Sequence, residues 1–265
     1  MRLTVIRITV TSGRGADSLR NIALVTRPLS SFAKPLPRST VNRIKHGLGL
    51  VVASNLDALA LLWGTDKARS HHGYTRHYAN HLRSRRRSVE CVLEIGIGDG
   101  ADPRAGGSSL RMWRNYFPHA TIYGIDLYEK VLDDGARITA LQADQSDPSA
   151  LRRAVAQCPP FDLIVDDGSH VGSHVITSFE VLFPKLAPGG YYAIEDLETS
   201  YLPAYGGGLP GVPDTAAALA KDLLDDLNLG SRPIAALHAY PGLVLVEKGE
   251  DVVPATPQPA AQRFL

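Results

Sequence analysis

Two short strings hold most of the chemistry this chain can offer. They are Asp166-Asp167-Gly168-Ser169-His170 and, about one strand-helix-strand later, Ile194-Glu195-Asp196. Each begins where an apolar run stops, after Phe161–Val165 and after Tyr191–Ile194. In an open α/β sheet, ligands bind in the crevice outside the carboxyl ends of the strands. Asp167, Glu195, Asp196 and His170 are therefore expected to converge. Crowded carboxylates repel unless a cation or a proton neutralises them. A hard dication such as magnesium, with oxygen ligands and positions left open for water or substrate, answers that charge. An imidazole ordinarily titrates near ~6.5 and can take a proton beside such an ion.

A second motif is glycine-rich. Gly96-Ile97-Gly98-Asp99-Gly100-Ala101 matches G-x-G-x-x-A, a dinucleotide fingerprint. That fingerprint must open a helix whose N-terminus holds a pyrophosphate. Here Asp102-Pro103-Arg104-Ala105-Gly106-Gly107 follows, an acidic, glycine-broken loop ill suited to that task. S-adenosylmethionine, which carries no phosphate, suits the loop better. Glu94 places a carboxylate by Gly96 and Gly98, Asp126 is set to accept from a ribose, and Asp144-Gln145 could bond the adenine edge.

These motifs need a scaffold. Apolar runs and turn residues predict strands at 89–95, 121–125, 138–141, 161–165 and 191–194, with helices at 108–117, 147–156 and 175–186 between them. Pro188-Gly189-Gly190 is expected to stop the last of those helices. A helix over 213–227 and a hairpin of 234–238 with 243–247 follow. The pattern predicts an α/β doubly wound, mostly parallel sheet with one reversed strand. Segment 46–88 reads as a helical cap or lid before the domain at 89–250, and the Pro-, Ala- and Gln-rich residues 251–265 as a frayed tail.

Residues 1–45 stand apart. Arg2, Arg7, Arg14, Arg20, Arg27, Lys34, Arg38, Arg43 and Lys45 face the single acid Asp17, as in a mobile basic arm. The rest of the chain carries an offsetting acidic excess, and the overall formal net charge of +1 gives no general pull toward nucleic acid or membrane. The basic run Arg83, Arg85, Arg86 and Arg87 has no interleaved aromatics and reads as a solvated turn. Cys91 and Cys158 sit in contexts unsuited to a disulfide framework, which fits a reducing, cytoplasmic setting. No run of eighteen apolar residues predicts a transmembrane helix.

The stretch 71–78 holds three histidines and two tyrosines but no cysteine or carboxylate to complete a zinc site. It reads as a lid or substrate wall, with Tyr74 and His77 foremost. Tyr201 and Tyr205, beside Gly206-Gly207-Gly208, are placed to stack on an acceptor, though core packing suits Tyr201 nearly as well.

Val92-Leu93-Glu94-Ile95-Gly96-Ile97-Gly98, Ala105-Gly106-Gly107-Ser108-Ser109-Leu110-Arg111-Met112-Trp113, Asp166-Asp167-Gly168-Ser169-His170-Val171 and Ile194-Glu195-Asp196-Leu197 together resemble the macrolide deoxysugar O-methyltransferases. Gly64-Thr65-Asp66-Lys67 and Tyr205-Gly206-Gly207 fit as well, so the resemblance runs from about Leu62 to Gly208. It implies a seven-stranded class I methyltransferase fold, magnesium dependence and a sugar hydroxyl as methyl acceptor. It also implies Asp167, Glu195 and Asp196 as metal ligands and His170 as general base. The Glu94–Gly98 loop, Asp126, Asp144 and Gln145 would hold the cofactor, with Thr65 and Ser108 closing over it and Asp167 touching both. Larger members carry an extra N-terminal domain, for which this chain is expected to lack room.

The expected activity is magnesium-dependent methylation of a sugar hydroxyl on a polyketide, glycolipid or oligosaccharide, with a homo-oligomer possible. A catechol-type methyltransferase is the nearer alternative, against which His170 in place of a lysine argues. A nicotinamide oxidoreductase would explain the glycine string but needs a hydride-transfer dyad absent from the sequence. A non-catalytic cofactor-binding module is disfavoured by the intact carboxylate trio.

Overall fold

The computed structural model describes residues 36–132 and 135–250, together with the backbone of Thr4–Arg7 (β1) and Val25–Pro28 (β2), which pair antiparallel. The chain divides into two units, 1–43 and 44–265. Most of the expected basic arm and the whole of the expected tail lie outside the described residues.

The second unit is built on a seven-stranded sheet. Its strands are β3 (Cys91–Ile95), β4 (Thr121–Asp126), β5 (Ile138–Gln142), β6 (Phe161–Asp166), β7 (Leu186–Ile194), β8 (Ile234–Tyr240) and β9 (Leu243–Lys248). Their order is β5-β4-β3-β6-β7-β9-β8, all parallel except β9, the one reversed strand the sequence predicts. Every residue of β3 is buried, as a central strand covered on both faces requires.

Helices cover both faces. On one lie α2 (Leu56–Trp63), α3 (Tyr74–Leu82) and α4 (Ser108–Tyr116), whose Leu59, Tyr78 and Trp113 share a core with Val92 and Val165. On the other lie α5 (Pro148–Ala154), α6 (Gly172–Leu182) and α7 (Ala216–Leu229), packed with Phe179 and Leu223 on Leu93, Ile164 and Tyr192. The remaining helix, α1 (Arg38–Val51), precedes them. Local chemistry sets the ends. Asn55, Asp147 and Thr215 accept backbone N–H bonds as N-caps, and Gly64 and Gly230 close α2 and α7 in the left-handed conformation. Helix α4 begins from Gly107 in the left-handed conformation, without a side-chain cap.

One element differs in kind. Pro188-Gly189-Gly190 lies inside β7, and α6 ends earlier, at Leu182. Register passes from Phe161↔Leu186 to Leu163↔Tyr191, so extra residues of β7 oppose Asp162 as a bulge, and Gly189 at φ +73° allows the chain to swing out.

The register is what builds the site. Ile95 pairs with both Ile125 and Asp166, and Asp166 pairs with Ile194. The residues that follow, Gly96, Asp126, Asp167 and Glu195, therefore reach one level at the carboxyl edge. Backbone bonds continue the ladder there: Asp167 N donates to Ile95 O at 3.0 Å and Glu195 N to Asp166 O at 3.0 Å.

Candidate active site

A cavity of about 600 Å³ opens over this edge, and Thr65, Gly96, Gly98, Ser108, Asp126, Asp144, Gln145 and Asp167 all line it. The glycine loop does not start a helix. It folds back, with Gly107 N donating to Ile97 O at 2.8 Å, and α4 begins only at Ser108. Lys130 fastens the loop by donating to the carbonyl oxygens of Gly98 at 2.7 Å and Asp102 at 3.2 Å. Gly96 sits at φ +94°, where a Cβ would collide with the Asp167 carbonyl oxygen. Gly96→Ala is therefore expected to separate the loop from the Asp167 turn. Calorimetry should show cofactor affinity falling by tenfold or more, on the order of 1–3 kcal/mol of backbone strain; unchanged affinity would contradict this reading.

The wall residues differ in what they can still bond. Asp126 is fixed by Ile97 N and Tyr128 N, each donating to one carboxylate oxygen at 3.0 Å, and keeps lone pairs facing the cavity. Asp144 is exposed, and its bonds from the Ser146 hydroxyl and backbone N–H hold its carboxyl below the usual range. Gln145 borders the cavity, but its side chain is committed inward. It donates to Asp166 at 2.7 Å and to Ser178 Oγ at 3.1 Å, and accepts from Ser169 N at 2.9 Å. These bonds brace the Asp166–Ser169 turn and use both of its N–H donors. Glu94 is fully buried behind the loop, accepts from Trp113 Nε1 at 2.7 Å and does not line the cavity. The expectation that it meets the cofactor fails because its side chain points to the face that α4 covers.

Successive residues of a strand point to opposite faces, and this separates the two aspartates. Asp166 is buried among Ser178, Tyr192 and Gln145, and burial pushes its carboxyl up to about 6. Asp167 faces the cavity, and ligand atoms of Asp167, His170 and Asp196 lie within 4.8 Å of one another. Nε2 of His170 is 3.6 Å from Asp196 Oδ2. On the other side, Nδ1 of His72 is 3.4 Å from Asp196 Oδ1. His170 at φ +57° and Asp196 at φ +53° both hold the left-handed conformation, tolerated by their residue types and concentrated at functional turns.

Glu195 behaves differently from its neighbours. Its Oε2 accepts from Lys67 Nζ at 2.6 Å and its Oε1 from the Tyr78 hydroxyl at 2.5 Å. Among the described residues it is not in the group that converges with His170. Lys67, with no exposed surface, also donates to Asp167 Oδ2 at 2.6 Å and lies 3.4 Å from Glu94 Oε1. Burial alone would lower its pKa, but the charges of Asp167, Glu195 and Glu94 outweigh that and hold the ammonium well above the usual lysine range. Sequence reasoning noted Lys67 within a motif but gave it no role, because its partners lie far along the chain.

The expected acceptor wall is largely displaced. The Tyr74 hydroxyl donates to Asp196 Oδ1 at 2.7 Å, so this buried ring positions a carboxylate instead of facing a substrate. His77 stacks on Tyr240 at 3.7 Å, because α3 turns that face to β8. Tyr201 lines a separate cavity beside α7. Tyr205 stands edge-on to His170, at 6.1 Å between ring centroids.

No family model matches the chain. It is 42% identical over 210 residues to demethylmacrocin O-methyltransferase of Streptomyces fradiae, covering 74% of this chain and 53% of that one. The chain thus spans about half the length of the curated relatives it matches. Among solved structures, MycE methyltransferase from the mycinamycin biosynthetic pathway, in complex with Mg, SAH and mycinamycin VI, is 38% identical with a TM-score of 0.69, covering 78% of this chain and 57% of that one. A second crystal form of MycE with Mg and SAH is 32% identical with a TM-score of 0.70, covering 94% of this chain and 71% of that one. At these identities and coverages the chain belongs to the class I methyltransferases of the macrolide deoxysugar O-methyltransferase family.

Proposed function

We propose that this chain transfers a methyl group from S-adenosylmethionine to a sugar hydroxyl in a magnesium-dependent reaction. The observation that carries the proposal is the meeting of Asp167, His170 and Asp196 at the edge of a cavity that Asp167 itself lines. Two carboxylates and an imidazole so placed suit a hard dication, and Asp167 and Asp196 would hold it, with Glu195 joined to Asp167 through Lys67. Bound there, the ion would lower the pKa of an alcohol and orient it. The His170 ring accepts the hydroxyl proton, and the Asp196 carboxylate beside it stabilises the imidazolium that forms. Asp126 and the Gly96–Gly98 loop orient the donor in line with the acceptor, and enclosure of the sulfonium in a dry cavity favours the loss of its charge.

The relatives support the sugar. Demethylmacrocin O-methyltransferase and a rhamnosyl tetracenomycin 2'-O-methyltransferase are named for glycosylated acceptors, and MycE is solved with mycinamycin VI. The catechol-type reading is weakened by Lys67, since an ammonium bonded to two carboxylates is no base. The nicotinamide reading lacks a helix opening on the glycine loop. We also propose a reducing, cytoplasmic setting, which the two free cysteines support; among the described residues no helix is long and apolar enough to cross a membrane.

The test is methyl transfer from labelled S-adenosylmethionine to a panel of deoxysugar and hexose glycosides, with and without chelator. Label in at least one glycoside, lost with chelator and restored by magnesium, is expected. Transfer to catechols alone, or transfer indifferent to chelator, would overturn the reading.

A further inference from the structure

Asp167 and Asp196 would hold a single dication, and Glu195 and Glu94 are buried behind Asp167, so the carboxylates outnumber the charge one dication supplies. The structure supplies the missing charge from the protein. Lys67 has no solvent exposure, and its ammonium lies 2.6 Å from both Asp167 and Glu195. Its place is fixed from several sides: Lys67 N bonds Thr65 Oγ1 at 3.4 Å, Thr75 N donates to Lys67 O at 3.0 Å, and the Tyr78 hydroxyl holds the far oxygen of Glu195. A cation so enclosed is not a surface ion pair. It cannot swing away without leaving Glu195 buried against Asp167, a cost of the kind that breaks buried pairs.

We propose that Lys67 is a positioning residue that holds Asp167 and Glu195 together and sets the net charge of the site, so that it selects a divalent ion over a trivalent one. The proposal rests on the metal-dependent reading above. Coulomb energy scales with the product of charges, so a fixed positive charge a few Å away disfavours a trivalent ion more than a divalent one. Comparing the two ions in the same protein separates this effect from any loosening of the carboxylates, which weakens both.

The experiment titrates the full chain, without methyl donor or acceptor, with Mn²⁺ followed by electron paramagnetic resonance and with Tb³⁺ followed by its luminescence. Wild type, Lys67→Met and Lys67→Arg are compared. Lys67→Met is expected to shift the affinity ratio toward Tb³⁺ by about tenfold or more, the scale of one unit charge at an effective dielectric of about 20, and Lys67→Arg to return it toward wild type. A ratio unchanged within about twofold in Lys67→Met, or one that Lys67→Arg leaves shifted, overturns the proposal. Should Lys67→Met fail to fold, Glu195→Gln serves. Removal of one negative charge is expected to move the ratio toward Mn²⁺, and no movement overturns the proposal. Wild type that binds neither ion removes the metal reading and this inference with it, whereas normal wild-type binding with an unmoved ratio removes only the role of Lys67.

Discussion

Asp167→Asn is expected to abolish methyl transfer and the response to magnesium together, with kcat/KM falling by roughly 10³ or more, the scale of losing an electrostatic element used at the reacting oxygen. The substitution keeps the side chain's shape but removes the charge that faces His170 and Asp196 on one side and Lys67 on the other. Lys67 keeps Glu195 as a partner at 2.6 Å, so the fold should survive and the circular dichroism spectrum should match wild type. Steady-state kinetics across a magnesium series checks this. A variant that retains more than about a tenth of the wild-type rate and still responds to magnesium would remove Asp167 from the metal site. Asp167 also lines the cavity, so a modest loss of cofactor affinity is expected beside the catalytic one.

His170→Ala should separate catalysis from binding more sharply. Turnover is expected to fall by about 10²–10⁴, the usual contribution of a positioned general base. Cofactor affinity should stay within about twofold, because His170 does not line the cavity; the histidine that does is His174, whose Nδ1 bonds Ser169 Oγ at 2.9 Å. His174→Ala is the matched control and should leave most of the rate. Added imidazole should restore part of the His170→Ala activity, since the base is lost but its place is not. Full rate in His170→Ala, or no rescue together with lost cofactor binding, would show that His170 is structural.

Much of this was legible before any coordinates. Apolar runs ending in Gly96, Asp126, Asp167 and Glu195 declare parallel strands whose ends must meet, and the structure aligns them through the Ile95, Asp166 and Ile194 pairs. Such features are local, and local pattern is what a sequence displays. The features that went unread depend on distant partners. Lys67 meets carboxylates 100 and 128 residues away, and nothing near it in the chain announces them. Glu94 was placed by its neighbour Gly96, yet strand alternation sends its side chain to the buried face beside Trp113. Gln145 looked like an adenine contact because it follows a strand, but Asp166 and Ser178 claim its amide first. Tyr74 and His77 were read as a wall by composition, while the rotation of α3 decides which rings face inward. Pro188-Gly189-Gly190 is a breaker by type and a bulge in fact, because β-sheet pairing on both sides of it holds the strand together.

Asp167 and Asp196 are proposed to grip a dication beside His170. Anomalous diffraction from crystals grown with Mn²⁺ and S-adenosylhomocysteine would locate the ion. A single strong peak bonded to both aspartates, with the His170 ring turned toward its open side, is the predicted result; the absence of a peak there, or one bound elsewhere while these side chains remain free, would contradict it.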